Sequence, residues 1–303
     1  MTRLFNEAQA RSMLDIGSVI AALNSMFKQQ ALGQISNIPR TRTKVFEKLL
    51  NITAASDALT MRYAVKLYGV CGSHILLYSR DEGLLAIMEA DWLGKLRTGG
   101  ANALAASLMA RPQSRKVGLI GAGRHAVAQL LGLEAMNLMD EVCVFARRRE
   151  KLEAFCNQMS SKLKSKIRMA ASPEEAVADA DIVVVATNAS TPVLRLEWLP
   201  KGVHVNAMGA NAASRMELDP EIVAAASIIA TDDVDQARKE AGEFIALGDR
   251  LDWNRILPLH KLVSDPASAA RDPAALTVYK SLGAGLEDLA IASLLYDRSQ
   301  EAG

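Results

Sequence analysis

A strand that runs directly into a glycine-rich turn and out into a helix leaves a chain few folds to choose from. Residues 117–135 have that pattern. Residues 117–120 are apolar, Gly121, Gly123 and Ala126 follow at the spacing G-x-G-x-x-A, and an Ala/Leu-rich helix opens at once. Gly121 permits a tight turn, Gly123 lets the backbone approach a pyrophosphate, and Ala126 lets the helix pack closely on the strand. Arg124 and His125 lie in the same turn. A phosphate held there would meet the helix N-terminus, where free N–H groups and the helix dipole favour an anion. Glycines of this kind can sit in any strand-to-helix turn. The preceding strand, the following helix and the βαβ unit they begin are the context that points to dinucleotide binding.

The rest of the chain agrees with this start. Apolar runs at 142–145, 182–186, 203–208 and 228–231 read as strands separated by helices or loops. Such alternation implies right-handed crossovers and a parallel sheet. The part before residue 115 has another texture. Helical spacing over 6–32, broken near 15–17 and stopped at Gly33, brings Ile16, Ile20, Leu23 and Phe27 to one face. Residues 41–50 and 61–70 read as strands, and 74–79 with 84–89 as a hairpin turning at Gly83. Residues 91–110 form a long helix ended by Pro112. The expected fold is therefore α/β: a Rossmann-type parallel sheet domain over 116–279, plus an N-terminal α+β domain over 1–115. A last helix, 281–296, packs back on the body, so that 280–303 joins the N-terminal domain.

The end of the second Rossmann strand decides between the two nicotinamide dinucleotides. An acid there binds the ribose 2′-hydroxyl, whereas arginine accommodates a 2′-phosphate. Here Arg147 and Arg148 follow Phe145 and Ala146, with no acid before Glu150. This favours NADP over NAD, although a solvated basic turn would look the same.

Composition excludes several classes of partner. A net charge of +1 over 303 residues leaves no electrostatic footprint for nucleic acid or an anionic membrane. No apolar run reaches the length needed to span a bilayer. The N-terminus lacks the basic stretch and unbroken apolar run of a signal peptide. Cys71, Cys143 and Cys156 are scattered, and no His/Cys/carboxylate set has metal-ligand spacing. The expectation is a cytoplasmic protein without a metal, acting on a small molecule.

Several segments resemble the ornithine cyclodeaminase/mu-crystallin family, in the family's order and over nearly the whole chain. They are "NIPRT" at 37–41, "MRYAVKLYGV", "DWLGKLRTGGANALAASLMAR", "VGLIGAGRHAVAQLLGL", "ADIVVVATNASTPVL", "GVHVNAMGAN", "MELDPEIV" and "TVYKSLGAGLEDLA". The resemblance implies NAD(P) as cofactor, a homodimer built through the N-terminal domain, and a small imino or amino acid as substrate. It implies that Arg40 and Arg97 bind the substrate carboxylate, for which a forked guanidinium is suited. Lys66 is implied as the catalytic lysine, holding the carboxylate or, if neighbours depress its pKa, protonating the substrate nitrogen or a neighbouring water. Thr187, Asn188 and Gly209 are implied to line the nicotinamide side. "MELDPEIV" is similar to one of the family's later Rossmann strands.

Two departures sharpen the expectation. Where cyclodeaminases carry an aspartate after the "NAMG"-type strand, this chain has Asn211, which cannot accept a proton in this pH range. The loop between Lys66 and Arg97 is short, which brings His74 forward as a possible pocket residue. The expected activity is NAD(P)H-dependent reduction of a small imino acid, or the reverse oxidation. The alternatives are ornithine cyclodeamination with recycled NAD, and a non-catalytic ligand-binding protein.

Overall fold

The computed structural model describes residues 2–70 and 72–301. Its two compact units are Met1–Ala101 with Gly283–Gly303, and Asn102–Leu282. The boundaries expected from the sequence are 115 and 280. The first division falls inside a long helix rather than in the loop after it.

The first unit begins with β1 (Arg3–Phe5), α1 (Glu7–Met13) and α2 (Ile16–Ala31). The break between the helices is a capping event: the Asp15 side chain accepts from Ser18 N at 2.9 Å. Five strands follow, β2 (Ile35–Val45), β3 (Lys48–Asp57), β4 (Arg62–Tyr68), β5 (Ser73–Ser79) and β6 (Gly83–Glu89), and then α3 (Asp91–Met109). The sheet order is β1-β6-β5-β4-β3-β2. One expectation fails here. Residues 41–50 are the tip of a hairpin rather than one strand, turning at Phe46, whose φ of 55° is left-handed. Valine, phenylalanine and lysine around the turn carry no turn signal, so alternation seemed to run through it. Pro39 is tolerated in β2 because that strand is the sheet edge and its register shifts between Ile38 and Thr41. One face of the sheet, with Ile75, Leu77 and Met88, is buried. The C-terminal helix (Gly285–Glu301) packs on α2, β3 and β4.

The second unit runs β7 (Lys116–Ile120), α4 (Arg124–Ala135), β8 (Glu141–Phe145), α5 (Arg149–Ser160), β9 (Lys166–Met169), α6 (Pro173–Val177), β10 (Ile182–Val185) and β11 (His204–Ala207). It continues with α7 (Pro220–Ala225), β12 (Ile228–Thr231), α8 (Val234–Glu240), α9 (Gly242–Ile245), β13 (Ile256–Pro258), α10 (Leu259–Ser264) and β14 (Thr277–Lys280). All eight strands are parallel, in the order β13-β12-β14-β11-β10-β7-β8-β9. The order reverses between β7 and β10, the switch point at whose carboxyl edge open α/β sheets bind ligands. β14 escaped the sequence reading, which ended the domain at 279. "MELDPEIV" is not a sheet strand either. Leu218 makes one bridge to Leu194, and α7 begins at Pro220.

A buried polar network lies at the other edge of this sheet. His204 Nε2 is 2.9 Å from Asn206 Oδ1 and Nδ1 is 2.8 Å from Thr277 Oγ1, while Asn206 Nδ2 donates to Asn102 O at 3.1 Å. Burial pushes His204 down to about 3. The native ring is therefore neutral, while the unfolded one takes up a proton below its ordinary pKa near 6.5. Stability contributed by the neutral ring is fully present above that value and is lost as pH falls, by about 1.4 kcal/mol per pH unit. Thermal melts from pH 7.5 downward should show a shallower acid slope for His204→Gln than for the wild type. Parallel slopes would show that the ring takes up its proton in the native protein as it does in the unfolded one.

Candidate active site

The first unit concentrates charge where a core would normally exclude it. Lys66 lies on the buried face of β4, in register with Thr53 of β3 and Ile75 of β5. Its Nζ donates to Asp288 Oδ1 at 2.9 Å. Arg97, from α3, donates from Nε to the same oxygen at 3.2 Å and from Nη1 to Glu287 Oε2 at 2.6 Å. Thr53 Oγ1 donates to Asp288 Oδ2 at 3.1 Å. Arg40, from the β2 bulge, donates from Nη2 to Gly283 O at 3.0 Å. The Tyr68 ring lies 5.9 Å from the Arg40 guanidinium and 5.4 Å from Lys66 Nζ. The three cations and both carboxylates are each more than nine-tenths buried.

Two glycines make the packing possible. A Cβ at Gly94 would stand 2.8 Å from Lys66 Nζ, and one at Gly283, whose φ is +81°, 2.5 Å from Arg97 Nη1. Burial pushes Lys66 below its ordinary value against the pull of Asp288, with Arg97 and Arg40 adding to the fall. Burial alone would raise Asp288, but Lys66 and Arg97 hold it below the usual carboxylate range. Three cations thus converge on one buried cluster with two carboxylates.

The structure thus brings Arg40, Lys66 and Arg97 together, and adds Glu287 and Asp288, which sequence reasoning missed. Their signal was the "LEDLA" of the C-terminal signature: two adjacent acids that open a buried helix. His74 is not part of this group. It pairs with Leu67, on the sheet face opposite Lys66.

The second unit carries the glycine turn at the end of β7. Gly121 has φ +109°, and a Cβ there would stand 2.3 Å from Ala186 O. Gly123 is the N-cap of α4 and makes no side-chain cap hydrogen bond. A Cβ on Gly123 would meet nothing within 4 Å. Arg124 and His125 are exposed at the first turn of α4, and Ala126 is fully buried beneath it. Arg147 and Arg148 are exposed just beyond β8, and Arg148 caps α5. Thr187 and Asn188 follow β10, and Gly209 and Asn211 follow β11. Glu217 links these last loops, accepting from the backbone of Thr187, Gly209 and Ala210. The buried hydroxyl of Ser281, directly after β14, finds no partner among the described residues. An open turn at a helix N-terminus and an orphaned hydroxyl on the same sheet edge fit a dinucleotide. Among the described residues, no group of three or more His, Cys, Asp or Glu is placed to hold a metal ion. No helix among them is long and apolar enough to cross a membrane.

A doubly wound parallel sheet with an open glycine turn at a helix N-terminus, joined in one chain to a sheet unit with a buried cationic cluster, defines a two-unit α/β protein of dinucleotide-dependent type. The chain belongs to the ornithine cyclodeaminase/mu-crystallin family, whose model matches residues 3–303. It is 31% identical over 222 residues to the Delta(1)-pyrroline-2-carboxylate reductase of Bacillus cereus, covering 72% of this chain and 68% of that one. It is 32% identical over 253 residues to the ketimine reductase mu-crystallin of Mus musculus, covering 81% and 77%. Among solved structures, the Thermococcus litoralis Delta(1)-pyrroline-2-carboxylate reductase in complex with NADH and L-proline matches with a TM-score of 0.95 at 25% identity, covering 100% of this chain and 98% of that one. These relatives are reductases of C=N compounds.

Proposed function

We propose that this chain reduces a small imino acid with NAD(P)H, and oxidises the corresponding amino acid in reverse. The observation that carries the reading is the convergence of Arg40, Lys66 and Arg97 in one buried cluster, a set of forked and point donors that suits a substrate carboxylate. Arg97 is fixed by Glu287 and Asp288, so it presents its remaining N–H groups in a set orientation. Arg40 supplies a second forked donor. Lys66, kept labile by burial, holds the proton that the substrate nitrogen receives. Gly121, Gly123 and Ala126, with Arg124 and His125, would hold the pyrophosphate, and Thr187, Asn188 and Gly209 would line the nicotinamide side. When bound, the cofactor supplies the hydride to the C=N carbon. Asn211 orients a water or the substrate nitrogen without accepting a proton, which disfavours ornithine cyclodeamination.

The test is a panel of cyclic and linear imino acids assayed with both reduced cofactors. Consumption of reduced cofactor with at least one of them is expected. Ammonia release from ornithine without cofactor loss would favour the cyclodeaminase instead. Tight cofactor binding without any turnover would favour a binding protein.

NADP is the proposed cofactor. Arg149 is tied to Glu153, whereas Arg147 and Arg148 have no ion-pair partner among the described residues. Replacing both by Ala should raise the KM for NADPH far more than that for NADH, because only NADPH carries the 2′-phosphate. Equal effects in steady-state kinetics would reduce the pair to surface charge.

The proposed assembly is a homodimer through the outer face of the six-stranded sheet. Leu4, Ile87, Leu76 and Val65 stand in register across β1, β6, β5 and β4, and Tyr63 stacks on Tyr78 at 4.7 Å. An apolar face of this size is a candidate interface, and sedimentation would read the mass. A cytoplasmic setting is proposed with it, supported by the free, buried thiols of Cys143 and Cys156. Cys71 lies outside the described residues.

A further inference from the structure

We infer that Glu217 is a positioning residue: its carboxylate clamps the loop after β10 to the loop after β11, and thereby sets the wall that Thr187 and Gly209 form. The inference rests on the cofactor placement proposed above. Glu217 Oε1 accepts from Thr187 N at 2.6 Å and from Thr187 Oγ1 at 2.7 Å. Its Oε2 accepts from Gly209 N at 2.6 Å and from Ala210 N at 2.8 Å. These four donors fill the acceptor sites of an ionised carboxylate, a group with no hydrogen of its own to place against them. Bonds to an ionised acceptor are short and strong. The side chain is fully buried. Burial pushes its pKa up, while Lys280 and the Thr187 and Ala210 donors pull against that rise.

The clamp is itself held. Glu217 N donates to Glu243 Oε1 at 2.8 Å, and Lys280, at the end of β14, pairs with Glu243 Oε2 at 3.1 Å. The polar network therefore joins the carboxyl ends of β10, β11 and β14, three neighbours in the sheet. Gly209 shows how closely the two loops are pressed. A Cβ there would lie 2.0 Å from Thr187 O and 2.4 Å from Glu217 Oε1. β10 and β11, the strands that lead into the two loops, are buried and apolar apart from Asn206 and His204, so the carboxylate orders the loops rather than the core. Gly121, Gly123 and Ala126 receive none of its bonds. Loss of the clamp should therefore disturb the reacting end of the cofactor and spare its phosphate anchor.

The test is Glu217→Gln in the full-length protein. The amide keeps one oxygen for one loop and turns N–H groups on the donors of the other. With the imino acid and reduced cofactor found by the panel above, kcat per cofactor-binding site should fall on the order of 100-fold, the cost of a small misplacement at the reacting atoms. The cofactor Kd should change by less than about tenfold. Amide hydrogen exchange should quicken at Thr187 or at Gly209 and Ala210, while β7 and α4 keep their protection. A merely structural role would lower Tm and leave kcat per site unchanged, and that result, or unchanged exchange in both loops, overturns the inference. If Glu217→Gln yields no folded protein, Thr187→Val serves. It removes one donor in the first loop and should quicken exchange at Gly209 and Ala210 in the second, and unchanged exchange there overturns the inference. A wild-type chain that reduces no imino acid sinks the oxidoreductase reading, whereas the exchange measurements still decide the clamp.

Discussion

Gly123→Val is expected to fold as the wild type does and to lose NAD(P). The two glycines of the turn separate structure from binding. At Gly123 an added side chain meets no protein atom within 4 Å, so the branched valine enters only the space that the phosphate reading assigns to the ligand. Its φ of −94° is open to any residue. At Gly121, φ is +109° and a Cβ would lie 2.3 Å from Ala186 O, so Gly121→Ala strains the backbone whether or not a ligand binds. Gly123→Val should therefore keep the wild-type Tm in the absence of cofactor, and lose the stabilisation that added cofactor gives the wild type, about 2.7 kcal/mol at a hundredfold excess over Kd. Gly121→Ala should lose Tm outright. Undiminished affinity of Gly123→Val by calorimetry would move the phosphate site elsewhere.

Asp288→Ala carries the other large effect, this time on the first unit. One carboxylate serves Lys66, Arg97 and Thr53; without it Arg97 keeps Glu287, while Lys66 loses the carboxylate it donates to. Removing one partner of a buried ion pair costs about 3–5 kcal/mol, because the remaining charge stays buried. A fall in Tm on the order of 10 °C follows. Lys66→Met removes a charge along with its desolvation cost and should destabilise less. On the proposed roles both variants should lose activity: Lys66→Met by losing the proton donor, Asp288→Ala by releasing Lys66 and Arg97 from their set positions. Equal melting temperatures for Asp288→Ala and the wild type would show that water screens the cluster.

What the sequence made readable and what it hid follow one rule. The glycine turn and the hairpin at Gly83 were readable because local backbone geometry or alternation dictates the residue there, whereas Arg40, Lys66 and Arg97 were singled out by the family resemblance. Gly83 indeed has φ +71°. Glu287 and Asp288 were hidden because their meaning lies in partners about 190 to 235 positions away. Glu217 was hidden for a related reason: its donors come from two loops, and the segment around it looked like a strand. β14 is central in the sheet but four residues long, and its place between β11 and β12 is set by crossovers that periodicity does not record. The β2–β3 turn was hidden by residues that favour strands. The cofactor and carboxylate roles assigned to individual residues stand on the proposed function.

The first unit is assembled from both ends of the chain, and this has a consequence for biosynthesis. Lys66 and Arg97 are translated long before their counter-charges at Glu287 and Asp288, a gap of roughly 10–40 s at ordinary elongation rates. Throughout that interval Lys66 and Arg97 lack these two acids, and β3 and β4 lack the helix that covers them. The glycine-turn unit, continuous from Asn102 to Leu282, is complete by then and free to fold. On the proposed function, the nascent protein is able to hold its dinucleotide before it has a place for the substrate, and the helix Gly285–Glu301 is the one that neutralises and closes that place.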